Sequence, residues 1–407
     1  MGLIREIPPT AGWPLTIKSL IPSLLKRHPK GLLEEDLKKY LGVPCALLTC
    51  SGTSGFYLIL ESIKKISGRK TVIIPAFVCP LIPLAIKRAG LNIKPCDINR
   101  DNFDYDINML GGICAEDSDI LAILAVHLAG IPLDLEAIKE TSGKNGIFII
   151  EDCAQSLGAE YKDKKTGSFG DFSFFSLCRG KGLTIYEGGL AVTTLPGQAK
   201  LLTDTAKEIM LRDNLSESLK IVELFAYSIF YRPRFFWFAF RAPQIFWRLR
   251  DNRVRAMGEY FTPDFPVHKV SAFREYIGHL NFPRLSEELA KQREKAAIYL
   301  NRLKDIPGIK PISEPSQAKA SYPYLTLIFE DARKRNSCLD AFEASGLGVS
   351  QAYLHAISDY AYLKDIIPQA QFTHARALAE KTITLSTNSF LREPELENII
   401  KKLKRKT

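Results

Sequence analysis

The chain contains no run of 18 or more uncharged apolar residues, so no segment is expected to cross a bilayer as a helix. Its opening residues, MGLIREIPPTAGWP, lack the apolar core of a secretory signal. None of its eight cysteines forms a C-x-x-C pair, and none stands at a metal-binding spacing. No metal is therefore expected, and reduced cysteines inside a cytoplasmic protein are the simplest account. Internal repeats and low-complexity linkers are missing too. What remains is an ordinary globular composition: 407 residues, 46% hydrophobic and 25% charged, with room for two or three domains. The formal net charge of +10 leaves open a nucleic acid, an anionic membrane face or a phosphorylated substrate. Much of that excess is local, in the tail KKLKRKT and in an arginine-bearing segment near residues 230–255.

Short β-rich runs recur through the first half, separated by turns and helical patterns. They are TVIIP (71–75), NIKPCDIN (92–99), LAILAVH (121–127), IFIIEDCAQ (147–155), DFSFFSL (171–177) and GLAVTT (189–194). Runs this continuously apolar suit strands buried on both faces. Their alternation with helices predicts an α/β domain around a mainly parallel sheet, with ligands beyond the carboxyl ends of the strands. From about residue 285 the pattern changes. LSEELAKQREKAAIYLNRLKDI reads as a long amphipathic helix, SYPYLTLIF and TITLS as strands, and RKRNSCLDAFEASG and PELENIIKKLKRK as further helices. The expected division is a large domain over 1–270, interrupted by an insertion at about 205–270, and a smaller α+β domain over 271–407.

Two strand ends carry residues that a core does not need. Asp152 closes IFIIED, and Lys181 follows FFSLCRG, 29 residues later. A carboxylate at a buried strand end is costly unless it meets a positive partner. A salt bridge or a helix cap would satisfy it. So would a cofactor held between acid and lysine. Pyridoxal 5′-phosphate needs a lysine to bond, an acid to keep its ring nitrogen protonated, and a cradle for its phosphate. CSGTSGFYLIL (50–60) offers the cradle: a small-residue turn entering an apolar helix presents free N–H groups and the positive end of the helix dipole.

Together these stretches resemble the DegT/StrS family of sugar aminotransferases, pyridoxal-phosphate enzymes of fold type I. The resemblance rests on SGTSGFYLIL, on VHLAGIPLDLEAI (126–138) and on IIEDCAQSLGAEYKDKKTGSFGDFSFFSLCRGKGLTIYEGG, with GIKPI, YPYLTLIF and ASGLGVSQAYLH in the smaller domain. It implies that Lys181 is the Schiff-base lysine and proton shuttle, and that Asp152 pairs with the pyridinium nitrogen. Gln155 would lie near the ring's 3-hydroxyl, and Ser176 would bond the phosphate with groups around Gly52, Thr53 and Ser54. Family members form homodimers in which a neighbour's asparagine completes the phosphate site; GHLNFPRLSE (278–287) makes Asn281 and Arg284 the candidates. Stacking on the ring would come from Phe77 in PAFVCP, where Cys79 stands near the usual aromatic position, or be weak. Arg179 could bind an anionic substrate group or form an exposed ion pair. A related dehydratase branch carries histidine in place of the lysine, and Lys181 argues against it. The implied reaction moves an amino group, with glutamate as donor, to a keto sugar linked to a nucleotide. A lipid-linked or non-sugar ketone, or a non-catalytic cofactor-binding role, are the alternatives.

The insertion departs from that pattern. Residues 221–250 hold eleven aromatics, five arginines and one acid. Pro233 and Pro243 rule out one continuous helix. A packed lid or a dimer contact is one reading. The other is peripheral contact with a membrane surface, where rings enter the headgroup zone and guanidiniums meet lipid phosphates. No nucleic-acid recognition module accompanies it, so a nucleic-acid partner is not expected.

Overall fold

The computed structural model describes residues 5–15, 17–24, 28–143 and 146–406. Seven strands make its central sheet: β1 (Cys45–Thr49), β2 (Thr71–Pro75), β3 (Asn92–Cys96), β4 (Ile120–Val126), β5 (Phe148–Asp152), β6 (Phe172–Ser176) and β7 (Gly189–Thr193). Their order is β1-β7-β6-β5-β4-β2-β3. From β6 to β3 every pair is parallel, whereas β7 runs antiparallel to both β6 and β1. β4 shows why the sheet lies in the middle: all seven residues of ILAILAV are buried. The α/β reading with a mainly parallel sheet is borne out. The strand that periodicity passed over is β1, whose five residues run directly into the turn and helix behind them.

The C-terminal unit has its own antiparallel sheet of β8 (Ile309–Pro311), β9 (Tyr324–Phe329) and β10 (Thr382–Ser386). Helices Leu285–Leu303, Ala332–Glu343, Thr373–Lys381 and Glu393–Lys406 accompany it. The start of the chain is stitched to this unit. Ile7 N donates to Gly346 O at 2.8 Å, Ser386 Oγ to Pro8 O at 2.7 Å, and Asn388 Nδ2 to Thr10 O at 2.8 Å.

The insertion folds as helices Asn214–Phe230, Phe236–Ala239, Arg241–Arg248 and Arg253–Ala256, with Pro233 in the first break. One buried ion pair ties it down. Arg274, 0% exposed, gives its Nε to Glu217 Oε2 at 2.9 Å and its Nη2 to Glu217 Oε1. Ser271 N also donates to Glu217, at 2.7 Å. The remaining guanidinium nitrogen reaches the carbonyls of Ile185 and Glu187. Burial alone would raise the Glu217 carboxyl, but the Arg274 contacts hold it below the ordinary glutamate range. Removing one partner of such a pair leaves an uncompensated buried charge, at a cost of about 3–5 kcal/mol. Glu217→Ala is therefore expected to lower stability by about that amount in urea unfolding. Glu217→Ala with Arg274→Met, which removes both charges, should recover more than half of the loss. A single variant as stable as the parent would show that the pair anchors nothing.

Candidate functional site

The site begins with a register. Gly189, the first residue of β7, lies opposite Thr49 at the end of β1 and opposite Ser176 at the end of β6. A Cβ on Gly189 would stand 2.4 Å from both Gly52 N and Ser51 C, and one on Gly52 would stand 3.3 Å from Ser176 Cβ. Only glycine permits this approach. It sets the first turn of helix Gly52–Ile63 beside the Ser176 hydroxyl. Ser51 caps that helix, its Oγ accepting from Ser54 N at 3.0 Å. The amides of Gly52 and Thr53 have no hydrogen-bond partner among the described residues. Two free N–H groups, a hydroxyl and a helix N-terminus on a floor without side chains fit a phosphate.

Next to this cradle lie the acid and the lysine. Asp152 ends β5 and is buried; its Oδ1 accepts from Ala154 N at 2.9 Å, and Oδ2 has no hydrogen bond among the described residues. Burial pushes its pKa up to about 6, against opposing pulls from Ala154 N, Lys181 and His127. Burial likewise pulls the Lys181 amine below the ordinary lysine range, opposed by Cys178, Cys79 and Asp152. The two groups feel each other electrostatically without forming a closed ion pair among the described residues. A ring with a cationic nitrogen would relieve Asp152, and a carbonyl that bonds the neutral Lys181 amine would relieve the lysine. The residues present thus fit pyridoxal phosphate: Lys181 and Asp152 at its reactive atom and ring nitrogen, Gly52, Thr53 and Ser176 at its phosphate.

The lysine rides on a closed loop between β6 and β7. Leu177 N donates to Gly188 O at 2.8 Å, Arg179 N to Tyr186 O at 2.7 Å, and Lys181 N to Cys178 O at 3.2 Å. Gly180 adopts φ +75°, which lets the chain turn there. Arg179 faces outward, its Nη1 on Glu187 Oε1 at 3.1 Å and its guanidinium over the Tyr186 ring. The ion pair with Glu187 is exposed.

Gln155 is held by both units. Its Oε1 accepts from Ala129 N at 3.0 Å and from Tyr324 OH at 2.6 Å, and its Nε2 reaches Tyr353 OH at 3.5 Å. Phe77 is buried, stacked on Phe103 at 6.4 Å and edge-on to Tyr353 at 5.4 Å. The residue of its segment that shares a field with Lys181 and Asp152 is Cys79, whose thiol burial pushes up to about 12. Asn281 and Arg284 lie elsewhere in this chain. Asn281 Nδ2 bonds Ile277 O at 2.8 Å, while Arg284 bonds Pro14 O and Asn281 Oδ1, each at 3.4 Å. Neither has a hydrogen bond to Lys181, Asp152 or Ser176 among the described residues.

Sequence reasoning missed the pair that aims Asp152. His127 Nδ1 accepts from Leu133 N at 3.1 Å, so Nε2 carries the proton that it donates to Glu151 Oε2 at 3.0 Å. Glu151 also accepts from Gly167, Phe169 and Gly170 N at 2.7–2.8 Å. The acid beside Asp152 in the sequence was the available signal: side chains alternate along a strand, so Glu151 faces away from Asp152 and locks the strand's other side.

The insertion forms the wall over the lysine loop. Tyr227 OH donates to Trp13 O at 3.3 Å and Tyr231 OH to Thr10 O at 3.2 Å. A cavity of 530 Å³ lies between loop and insertion, lined among others by Thr10, Arg179, Gly180, Tyr227 and Phe236.

Comparison with known proteins fits this geometry. The DegT/DnrJ/EryC1/StrS aminotransferase family matches residues 29–213 and 268–404, leaving out 214–267. GDP-perosamine synthase of Escherichia coli O157:H7 is 35% identical over 151 residues, 37% of this chain and 41% of that protein. GDP-4-keto-6-deoxy-D-mannose 3-dehydratase of Yersinia pseudotuberculosis is 31% identical over 166 residues, 39% of this chain and 42% of that one. The chain thus spans about two fifths of the length of these two relatives. Helicobacter pylori PseC, an aminotransferase involved in the biosynthesis of pseudoaminic acid, shares the fold at a TM-score of 0.77 with 18% identity, over 99% of both chains.

Asp152 yields a prediction that needs no substrate. In cofactor-free protein its carboxyl titrates near 6 rather than near 3.8. Ionisation therefore opposes folding: stability is fully present below about 4 and is lost as pH rises through about 6. Asp152→Asn keeps an acceptor for Ala154 N without the charge. It should stabilise the cofactor-free protein by up to about 3 kcal/mol at pH 8, a gain that fades below pH 4. Chemical denaturation at both pH values measures it. A loss of stability at pH 8 would mean that the carboxylate has a cationic partner already.

Proposed function

Since the chain belongs to the DegT/DnrJ/EryC1/StrS aminotransferase family, we propose that it is a pyridoxal-phosphate-dependent aminotransferase acting on a keto sugar. The observation that carries this reading is the convergence of a free-amide helix start, Ser176, Asp152 and Lys181 at neighbouring strand ends. Glutamate is the proposed donor and a nucleotide-linked keto sugar the proposed acceptor; GDP-perosamine synthase, a relative, supports the nucleotide-linked class.

Bound pyridoxal phosphate supplies an electron sink for the substrate carbon, and the chain does the rest. Gly52 N, Thr53 N and Ser176 Oγ hold the phosphate end. Asp152 Oδ2 keeps a proton on the ring nitrogen; burial strengthens that interaction once a cation stands opposite. Lys181 Nζ, drawn toward its neutral form by burial, takes a proton from the donor carbon and returns one on the other side of the exchange. An amine nearer neutrality is the better base for this work. Gln155, fixed from both units, orients the ring's hydroxyl edge. A lysine here, where the dehydratase branch has histidine, favours amino transfer over loss of water. Asn281 bonds Ile277 O, and Arg284 bonds Pro14 O, Asn281 Oδ1 and Glu288 Oε1, none of them a cofactor-site residue, which fits a role across a homodimer.

Borohydride reduction of cofactor-loaded protein should fix the label on the peptide carrying Lys181, and Lys181→Ala should remove both the label and the colour. Label recovered on Lys164 or Lys165 would overturn the assignment. With glutamate and a panel of nucleotide 3-keto and 4-keto sugars, mass spectrometry should find a product with nitrogen in place of the keto oxygen. A product that has only lost water would transfer the reading to the dehydratase branch.

The dimer has its own test. Lys181→Ala and Asn281→Ala proteins should each be inactive. Mixed and refolded together they should regain about a quarter of wild-type activity, because a heterodimer carries one intact composite site. No recovery, with heterodimers present by native mass spectrometry, would assign Asn281 to its own subunit.

A further inference from the structure

The insertion has two faces, and only one is used by the fold. Inward, Tyr227, Tyr231 and Phe236 are buried against residues 10–13 and the lysine loop. Outward, Phe235, Phe238, Ile245, Phe246 and Leu249 are exposed, Phe238 at 58% and Leu249 at 84%. Positions 235, 238, 242, 245 and 249 follow a spacing of three and four through helices Phe236–Ala239 and Arg241–Arg248, with Phe246 beside them, four after 242 and three before 249. That spacing makes one stripe along a nearly continuous helical surface. Phe230, itself exposed, touches Phe235 at 6.4 Å and extends the stripe toward helix Asn214–Phe230.

The charged residues of the segment itself have one sign, although Glu343 pairs with Arg248 and Asp251 follows Arg250. Residues 229–250 contain five arginines and no acid. Arg241 is committed to Glu6 and Arg248 to Glu343. Arg232, Arg234 and Arg250 are exposed and have no acidic partner among the described residues. Arg250 lies over the Phe246 ring at 4.2 Å, which keeps ring and guanidinium at one level. Exposed rings with unpaired arginines between them match the boundary of an anionic bilayer, where apolar tissue meets phosphate.

We infer that this stripe docks the protein on an anionic lipid surface, with Phe235, Phe238, Phe246 and Leu249 inserted and Arg232, Arg234 and Arg250 at the phosphates. A second copy of the chain fits less well. A twofold contact places the same patch on both sides, setting the unpaired Arg232, Arg234 and Arg250 against their own copies. A nucleic acid would satisfy the arginines and leave the leucine, isoleucine and phenylalanines in water. Adsorption, not spanning, is the mode: among the described residues no helix is long and apolar enough to cross a membrane. Because 214–267 lies outside the family match, docking is an addition to the shared scaffold. It places the cavity beside Arg179 and Gly180 close to the lipid headgroups. The inference does not rest on the cofactor or the reaction.

The test is flotation of full-length, cofactor-loaded protein with vesicles of phosphatidylcholine alone or with 30% phosphatidylglycerol, at low and high salt. The protein should float with the anionic vesicles and at least tenfold less with neutral ones. High salt should weaken binding, since screening shortens the reach of surface charge. Phe235→Ser, Phe238→Ser and Leu249→Ser together should abolish flotation while leaving the glutamate half-reaction and the dimer mass unchanged. Arg232→Gln, Arg234→Gln and Arg250→Gln together should remove the preference for anionic vesicles. The inference is overturned by wild-type protein that stays unbound in all mixtures. It is equally overturned by a serine variant that still floats, by one that changes the oligomer mass (the stripe is then a protein contact), or by binding to single-stranded RNA in place of vesicles.

Discussion

The structure turns on the absence of a side chain at Gly189. Strands β1, β7 and β6 end in one row, Thr49–Gly189–Ser176, and the chain leaving β1 must start a helix over that row. A methyl group at its centre would collide with the Ser51–Gly52 peptide, at 2.4 Å. Backbone cannot yield as a flexible side chain does, so the helix start would have to move. With it would go the free amides of Gly52 and Thr53. The antiparallel direction of β7 has the same root: running back between β1 and β6, it brings its first residue, not its last, to the ligand end of the sheet.

Around this fixed floor the site is under electrostatic strain by design of burial. Asp152 and Lys181 each pay for lost water, and each is drawn toward its neutral form. A closed salt bridge between them would relieve that cost and leave no room for a ring. The fold prevents closure by holding the two from separate directions. Asp152 is fixed by the Ala154 amide and by the strand that His127 and Glu151 lock from behind. Lys181 is fixed by a loop whose carbonyls at 185 and 187 are gripped by Arg274. Two polar groups kept apart at low dielectric make a site with large affinity for whatever neutralises both.

How much of this the sequence disclosed follows from the range of each interaction. The parallel strands were legible because burial on both faces leaves continuous apolar runs, as in ILAILAV. Asp152, Lys181, Ser176 and the small-residue turn stood out because polar or glycine-rich residues break such runs. β1 was not legible: five residues between a helix and a turn carry too little pattern. The role of His127 was hidden because its partner is 24 residues away, on another strand. Phe77 is the aromatic that PAFVCP offers, yet its neighbours Phe103 and Tyr353 come from elements that no local pattern connects to it. Arg179 shows the opposite case: Glu187, eight residues on, forms the ion pair that was one of its two readings.

The aromatic insertion joins these threads. Its composition alone suited both a packed lid and a surface element, and the fold divides the rings between the two uses. The tyrosines face in because their hydroxyls find the carbonyls of Thr10 and Trp13, which buried hydroxyls require. The phenylalanines of the outer stripe have no such group to satisfy and carry no penalty for facing lipid. Glu217, on the same insertion, completes the charge of Arg274, and Arg274 in turn holds the lysine loop. Helix Asn214–Phe230 thus serves both sides: Glu217 holds Arg274 on the carbonyls of the lysine loop, and Phe230 continues the outer stripe.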